Sequence, residues 1–224
     1  MQLYCIDAVR LHGMTDSVKP SAGLRAARIA DTEERIVAAA TELFVRNGYA
    51  ATTLTAVADA AAVAHRTVYL RFGTKAALLK RVIDVAIVGD TKLIDLQSRD
   101  WYQVVLTAPT FKERIDAWAR GSAQLMARAG DLFGVAQQAE NTEPIIRDAG
   151  LAGRSATRDS TRRIITGMRK DGLISADIDI DWAAQTLAVL ALPEIYLLHR
   201  ELHGWGADDY ERWLRTTWHA TLDG

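Results

Sequence analysis

Apolar positions recur at three- and four-residue intervals along most of this chain, and short polar or glycine-bearing breaks separate the runs. Asp31 and Glu34 stand at capping-box spacing ahead of Ile36, Val37, Ala40, Leu43 and Phe44, predicting a first helix that Asn47-Gly48 ends. Thr53 is placed to cap a short second helix built on Ala56, Val57, Ala58 and Ala61. A third covers His65 to Phe72, and Gly73-Thr74 separates it from a longer fourth, from near Lys75 to about Leu96. Thr110 and Glu113 open a helix to about Ala129, and Gly130-Asp131 restarts a short one through Ala139. Pro144 suits the first turn of a long helix ending at Asp171-Gly172. Asp179 or Asp181 caps a helix reaching His203 and kinked at Pro193, and Asp208 with Glu211 opens the last. Residues 97–110 read equally as a short helix or a loop. The pattern predicts an all-α protein of about nine helices, with no internal repeat.

Composition agrees, since only 4 of 224 residues are proline and sustained β-branched alternation is absent. The formal charge of -1 hides an asymmetry. Residues 19–81 carry ten Lys or Arg against five Asp or Glu, whereas residues 82–224 carry a net of -5. Attraction to phosphate is therefore expected from the amino-terminal part alone. A single cysteine, Cys5, excludes an internal disulfide and a Cys-based zinc cluster. The first 20 residues lack an apolar core of signal-peptide length, and the longest apolar run, residues 187–193, is far shorter than the ~20 residues of a membrane span. The expectation is a cytoplasmic protein with no membrane contact. Residues 1–24 read as a flexible arm, with Met1 and Met14 both open as translation starts.

Residues 48–79 carry the densest chemistry. In the third helix Val68 and Phe72, four apart, share a face and, like Leu43 and Phe44, read as core, which leaves His65, Arg66, Thr67, Tyr69 and Arg71 directed elsewhere. Donors and cations along one side with two apolar anchors on the other suit a helix that enters the major groove. Arg66 or Arg71 can bond guanine O6 and N7 together; Thr67 can meet a thymine methyl or a phosphate, and Tyr69 a phosphate oxygen. Leu70 on the outward side suits a thymine methyl or a local packing seam. Lys75 sits where a cation and free helix N–H groups converge on phosphate, and Thr53 can add a backbone contact. Arg25 and Arg28 can reach DNA from the arm.

Over residues 32–80 the chain closely resembles the TetR family of bacterial transcriptional regulators. The resemblance rests on Phe44, Gly48-Tyr49, Thr52-Thr53, Val57-Ala58, Val63, Thr67-Val68-Tyr69, Phe72, Lys75 and Leu78. It implies a three-helix helix-turn-helix head at 25–77 and a helical ligand-binding and dimerisation domain at 78–224. It also implies base or phosphate contact from His65, Arg66, Thr67, Tyr69, Leu70 and Arg71. Two positions depart from the family pattern. Ala62 stands where the turn normally has Gly, and Ala64 where the recognition helix normally opens with Ser or Thr, so no contact is carried to position 64.

The carboxy-terminal part is read more coarsely. The helix at about 181–203 is apolar nearly all round, and the last carries an aromatic stripe. The resemblance implies that these two helices form a homodimer interface, here through Leu190, Leu197, Leu198, Tyr210, Trp213, Leu214 and Trp218. Candidate walls for an effector cavity are Trp101, Tyr102, Trp118, Met126, Phe133, Met168 and Tyr196, which suit an apolar or aromatic small molecule. The resulting expectation is a homodimeric repressor, not an enzyme, that a small molecule releases from a pseudo-palindromic double-stranded operator. It needs no cofactor. An activator or ligand-independent DNA-binding protein of the same fold is the alternative, and an all-helical enzyme the more distant one. His199 and His203 have metal-binding spacing but no third ligand in view, so no metal is expected.

Overall fold

The computed structural model describes residues 20–89 and 99–223, with side chains from residue 23, and these residues form ten α-helices and no strand. They are α1 Pro20–Ala51, α2 Leu54–Ala60, α3 His65–Phe72, α4 Lys75–Val88, α5 Asp100–Thr107, α6 Phe111–Ala139, α7 Pro144–Lys170, α8 Ile180–Leu190, α9 Pro193–His203 and α10 Ala207–Leu222. The chain divides into two compact units, one of residues 1–84 with 135–149, the other of 85–134 with 150–224. Cys5, the alternative starts and the arm up to residue 19 lie outside the described residues.

In the first unit the predicted seam of α1 is the core: Ile36, Ala40 and Phe44 are fully buried, beside Leu54, Val57, Val68, Leu78 and Leu79. Gly48 breaks α1 as Asn47-Gly48 predicts, with φ 75° and ψ 178°, a conformation only glycine adopts cheaply. The helix is nevertheless resumed to Ala51, and buried Thr52 closes the break by donating to the Gly48 carbonyl at 2.8 Å. At its other end α1 begins well upstream of the Asp31–Glu34 box. Arg25 and Arg28 are thus exposed helical residues rather than part of an arm. Thr32 Oγ1 turns back to the Arg28 carbonyl at 2.7 Å, as hydroxyls inside a helix do. α4 stops at Val88, where Gly89 takes φ 92°, short of the predicted Leu96; residues 90–96 lie outside the described residues.

The second unit holds the larger core, with Tyr102, Trp118, Met126, Met168, Leu187, Tyr196, Tyr210, Leu214 and Trp218 in one apolar cluster. Trp118 and Trp218 stack at 4.1 Å, and Tyr210 reaches the Leu190 carbonyl at 2.8 Å. Buried Arg114 fastens this unit internally, bonding the Ala108 carbonyl at 2.7 Å and Asp171 at 2.5 Å. The Thr110–Glu113 box opens α6 as predicted, and Asp179 caps α8 through the Asp181 and Trp182 amides. Of the undecided stretch 97–110, residues 97 and 98 lie outside the described residues, and the rest holds α5, Asp100–Thr107, followed by a short link.

Four expectations are corrected. Gly130-Asp131 does not restart a helix, because α6 runs unbroken to Ala139. Gly130 is there for space: a Cβ on it would lie 2.7 Å from the Tyr196 ring. Pro193 does not kink one helix but opens a second at its first turn, after a break at Ala191-Leu192, because a proline nitrogen cannot donate to the preceding turn. Asp209, not the Asp208–Glu211 pair, caps α10 by accepting from the Gly206 amide at 3.3 Å. Tyr210, Leu214 and Trp218, predicted at a dimer interface, are fully buried in their own chain's core and offer a partner nothing. They follow a three- and four-residue stripe because α10 packs on α8.

Gly121 gives the sharpest packing test, since a Cβ there would stand 2.2 Å from the Trp101 ring. Gly→Ala inside a helix ordinarily stabilises by about 1 kcal/mol. Gly121→Ala is expected instead to destabilise by roughly 1–3 kcal/mol through overpacking. Urea unfolding followed by circular dichroism measures the change, and a higher midpoint contradicts the packing described.

Candidate nucleic-acid interface

Thr53 sets the start of α2: its backbone is extended, and its Oγ1 accepts from the Ala56 amide at 3.1 Å. The cap uses the oxygen as acceptor and leaves the hydroxyl proton available to an outside acceptor. α2 buries Leu54, Val57 and Ala58, then closes in a Schellman arrangement. The Ala62 amide bonds the Asp59 carbonyl at 3.1 Å and the Val63 amide bonds the Ala58 carbonyl at 3.0 Å. This geometry requires a left-handed residue, and Ala62 supplies it at φ 51°, a strain of roughly 1–2 kcal/mol for a residue bearing a Cβ. Ala64 then opens α3 with no side-chain cap. Both departures seen in the sequence are therefore physical features of the turn.

α3 is eight residues long, and Val68 is its only buried side chain. Phe72, predicted alongside it, is half-buried. The outward face presents His65, Arg66, Tyr69 and Leu70, spaced i, i+1, i+4 and i+5, with Tyr69 51% and Leu70 74% exposed. His65 Nε2 lies 2.7 Å from Asp59 Oδ1, so this side chain also ties α3 back to α2.

Thr67 and Arg71 fall on the flank of α3 rather than its outward face. Thr67 is half-buried, and Arg71 is engaged by Glu33 of α1 at 3.1 Å. Glu33 also holds Arg81 of α4 at 2.8 Å with its other oxygen. Arg71 thus fixes the end of α3 in this structure instead of projecting from it. Lys75 is likewise committed: its ammonium donates to the Tyr49 and Ala50 carbonyls at 2.8 and 3.3 Å and lies 4.2 Å from the Tyr49 ring centroid. One ammonium proton remains for an outside acceptor.

Tyr49 is the joint of this arrangement, donating its hydroxyl to Glu143 at 2.7 Å while its ring lies beneath Lys75. Burial first, then the Glu143 carboxylate, pushes its phenol well above the ordinary tyrosine range, so it stays a donor. Sequence reasoning missed Glu33, Arg35, Arg81 and Glu143. Arg35 holds the turn carbonyls, and Glu143 lies 94 residues from its partner. Such pairings leave no periodic trace in a single sequence. Among the described residues no group of three or more His, Cys, Asp or Glu can hold a metal, and no helix is long and apolar enough to cross a membrane.

Residues 36–82 match the family model of the bacterial regulatory proteins of the tetR family. No curated protein matches the chain. Among solved structures, a protein from Mesorhizobium loti described as of the TetR family is similar at 20% identity and TM-score 0.66, over 88% of this chain and 96% of that one. PfmR from Thermus thermophilus, a TetR-family transcriptional regulator, is similar at 21% identity and TM-score 0.62, over 85% and 98%. NalD from Pseudomonas aeruginosa, the secondary repressor of the MexAB-OprM multidrug efflux pump, is similar at 19% identity and TM-score 0.59, over 85% and 96%. The family match thus lies on α1 to α4, which build the head, and the fold of TetR-family structures is shared along most of the chain.

Proposed function

We propose that the protein is a homodimeric repressor that binds a pseudo-palindromic operator and leaves it when a small molecule enters the helical body. The observation that carries the DNA half of this reading is the outward face of α3. A leucine 74% exposed and a tyrosine 51% exposed flank Arg66 on a helix whose opposite side is plugged by Val68. An apolar contact for thymine methyls and a guanidinium for guanine lie side by side there, as direct readout requires. His65 and Tyr69 add donors, while Thr53, Thr67 and Lys75 suit phosphate. Exposed Arg25 and Arg28 can follow the backbone from α1. Arg71 acts mainly by holding α3 through Glu33. DNA binding agrees with a cytoplasmic location.

One such helix reads too few bases for specificity, and a two-fold dimer doubles the contact. Leu190, Leu197, Leu198 and Trp213 remain candidates for its interface. They are joined by Trp182 and Val189 seven apart on α8 and Leu202 on α9, all exposed. Exposed apolar residues at helical spacing support a covered face. For the effector, the candidate walls Trp101, Tyr102, Trp118, Met126, Phe133, Met168 and Tyr196, five aromatic and two methionine, gather in the core of one unit and favour an apolar or aromatic molecule. Release then follows from linkage: a ligand that prefers the form unable to grip DNA weakens DNA binding by the factor by which DNA weakens the ligand. α4 supplies residues to both units and is the natural lever. NalD, named as a repressor, favours repression over activation.

Selection from a random duplex pool, followed by gel shift, tests the reading. A palindrome is expected, bound far more weakly when one half-site is scrambled. Arg66→Ala is expected to weaken it by about 1–3 kcal/mol, equivalent to roughly 5- to 150-fold, and to relax preference at one base pair in each half. Equal affinity for selected and fully scrambled duplexes at physiological salt contradicts it.

A further inference from the structure

The turn between α2 and α3 lacks both devices that ordinarily fix such a turn, a glycine at the left-handed position and a hydroxyl at the next helix start. It is held from outside instead. Arg35, on α1, donates through Nη2 to the Ala61 carbonyl at 2.5 Å and to the Ala62 carbonyl at 2.9 Å. The Schellman bonds satisfy the carbonyls of Ala58 and Asp59, and Arg35 takes two acceptors beyond them, at Ala61 and Ala62. Its neighbours Ile36 and Val37 are buried in the α1 seam, which fixes where the Arg35 stem departs. Two residues earlier, Glu33 grips Arg71 near the far end of α3. One turn of α1 therefore holds both the turn that leads into α3 and the far end of α3 itself.

We propose that Arg35 is a positioning residue for DNA reading: its guanidinium holds the glycine-free turn and thereby sets the angle at which α3 presents His65, Arg66, Tyr69 and Leu70. The proposal rests on the reading that α3 enters the major groove. A cation on a DNA-binding head has a simpler alternative role, direct contact with phosphate. The two roles differ in salt dependence and in whether a glycine can substitute for the cation. A lost phosphate contact lowers the salt slope by about one and cannot be restored from inside the turn. A lost clamp leaves the slope unchanged, and a residue free to adopt positive φ restores the turn.

The test uses the full chain with Arg35→Gln, Arg35→Lys, Ala62→Gly and the Arg35→Gln/Ala62→Gly double variant. Two quantities are read: amide hydrogen exchange over residues 61–67, and the affinity ratio of the selected palindrome to a scrambled duplex at several salt concentrations. Arg35→Gln is expected to speed exchange at Val63 and to lower the ratio about tenfold with the salt slope kept. Arg35→Lys, which keeps the charge but not the fork, recovers only part and serves where the Gln variant folds poorly. Adding Ala62→Gly to Arg35→Gln is expected to restore most of the ratio, while Ala62→Gly alone changes it little. Unchanged exchange and ratio in Arg35→Gln overturn the proposal. So does a slope shallower by about one with no rescue by glycine, which makes Arg35 a phosphate contact. A wild-type protein that selects no duplex removes the DNA reading itself, a failure visible before any variant is made.

Discussion

An eight-residue helix with one buried side chain cannot hold its own orientation. Isolated helices of that length are marginal in water, and Val68 alone resists translation but not tilt. The DNA reading proposed for this protein therefore depends on α1. Its fully buried seam of Ile36, Ala40 and Phe44 lies beneath the head, while Glu33 and Arg35 reach from its polar edge to hold the far end of α3 and the turn before it. Exposed ion pairs contribute little stability singly, but the Glu33 carboxylate joins two half-buried arginines, a geometry that restrains direction more than it adds energy. Side chains that look like DNA contacts by type, Arg71 and Lys75, are engaged in building the head. Those on the outward side of α3 are a smaller group that shares one face, His65 among them also tied to Asp59.

The fold was legible where local chemistry decides it. Gly48, Thr53, Thr110 with Glu113, Pro144 and Asp179 each act within a few residues of themselves, and each starts or breaks a helix as its side chain dictates. Legibility failed where a distant group decides. Gly130 reads as a break but is a gap filled by the Tyr196 ring, and the α10 stripe reads as an interface but is an internal seam. A periodic apolar face states that something covers it without stating what. The upstream part of α1 carries only exposed side chains from residue 23 to residue 31, so no burial pattern announces it.

The recognition segment shows the same division. Its helix and the burial of Val68 follow from spacing, and the cost at Ala62 follows from glycine's absence. The split of its polar residues into an outward face and a clamped flank follows from Glu33, 38 residues away from Arg71. The corner between α6 and α7 likewise joins the first unit through Glu143, whose bond to Tyr49 bridges 94 residues. Tyr49 touches this corner through its hydroxyl and Lys75 through its ring.

Guanine N7 lies in the major groove and adenine N3 in the minor, so methylation interference on the selected duplex probes most directly whether the α3 face reads bases. The account predicts interference from N7 methylation at two symmetric clusters about one helical turn apart, with adenine N3 methylation tolerated between them. Interference confined to adenine N3, or a single cluster with no symmetric mate, would contradict it.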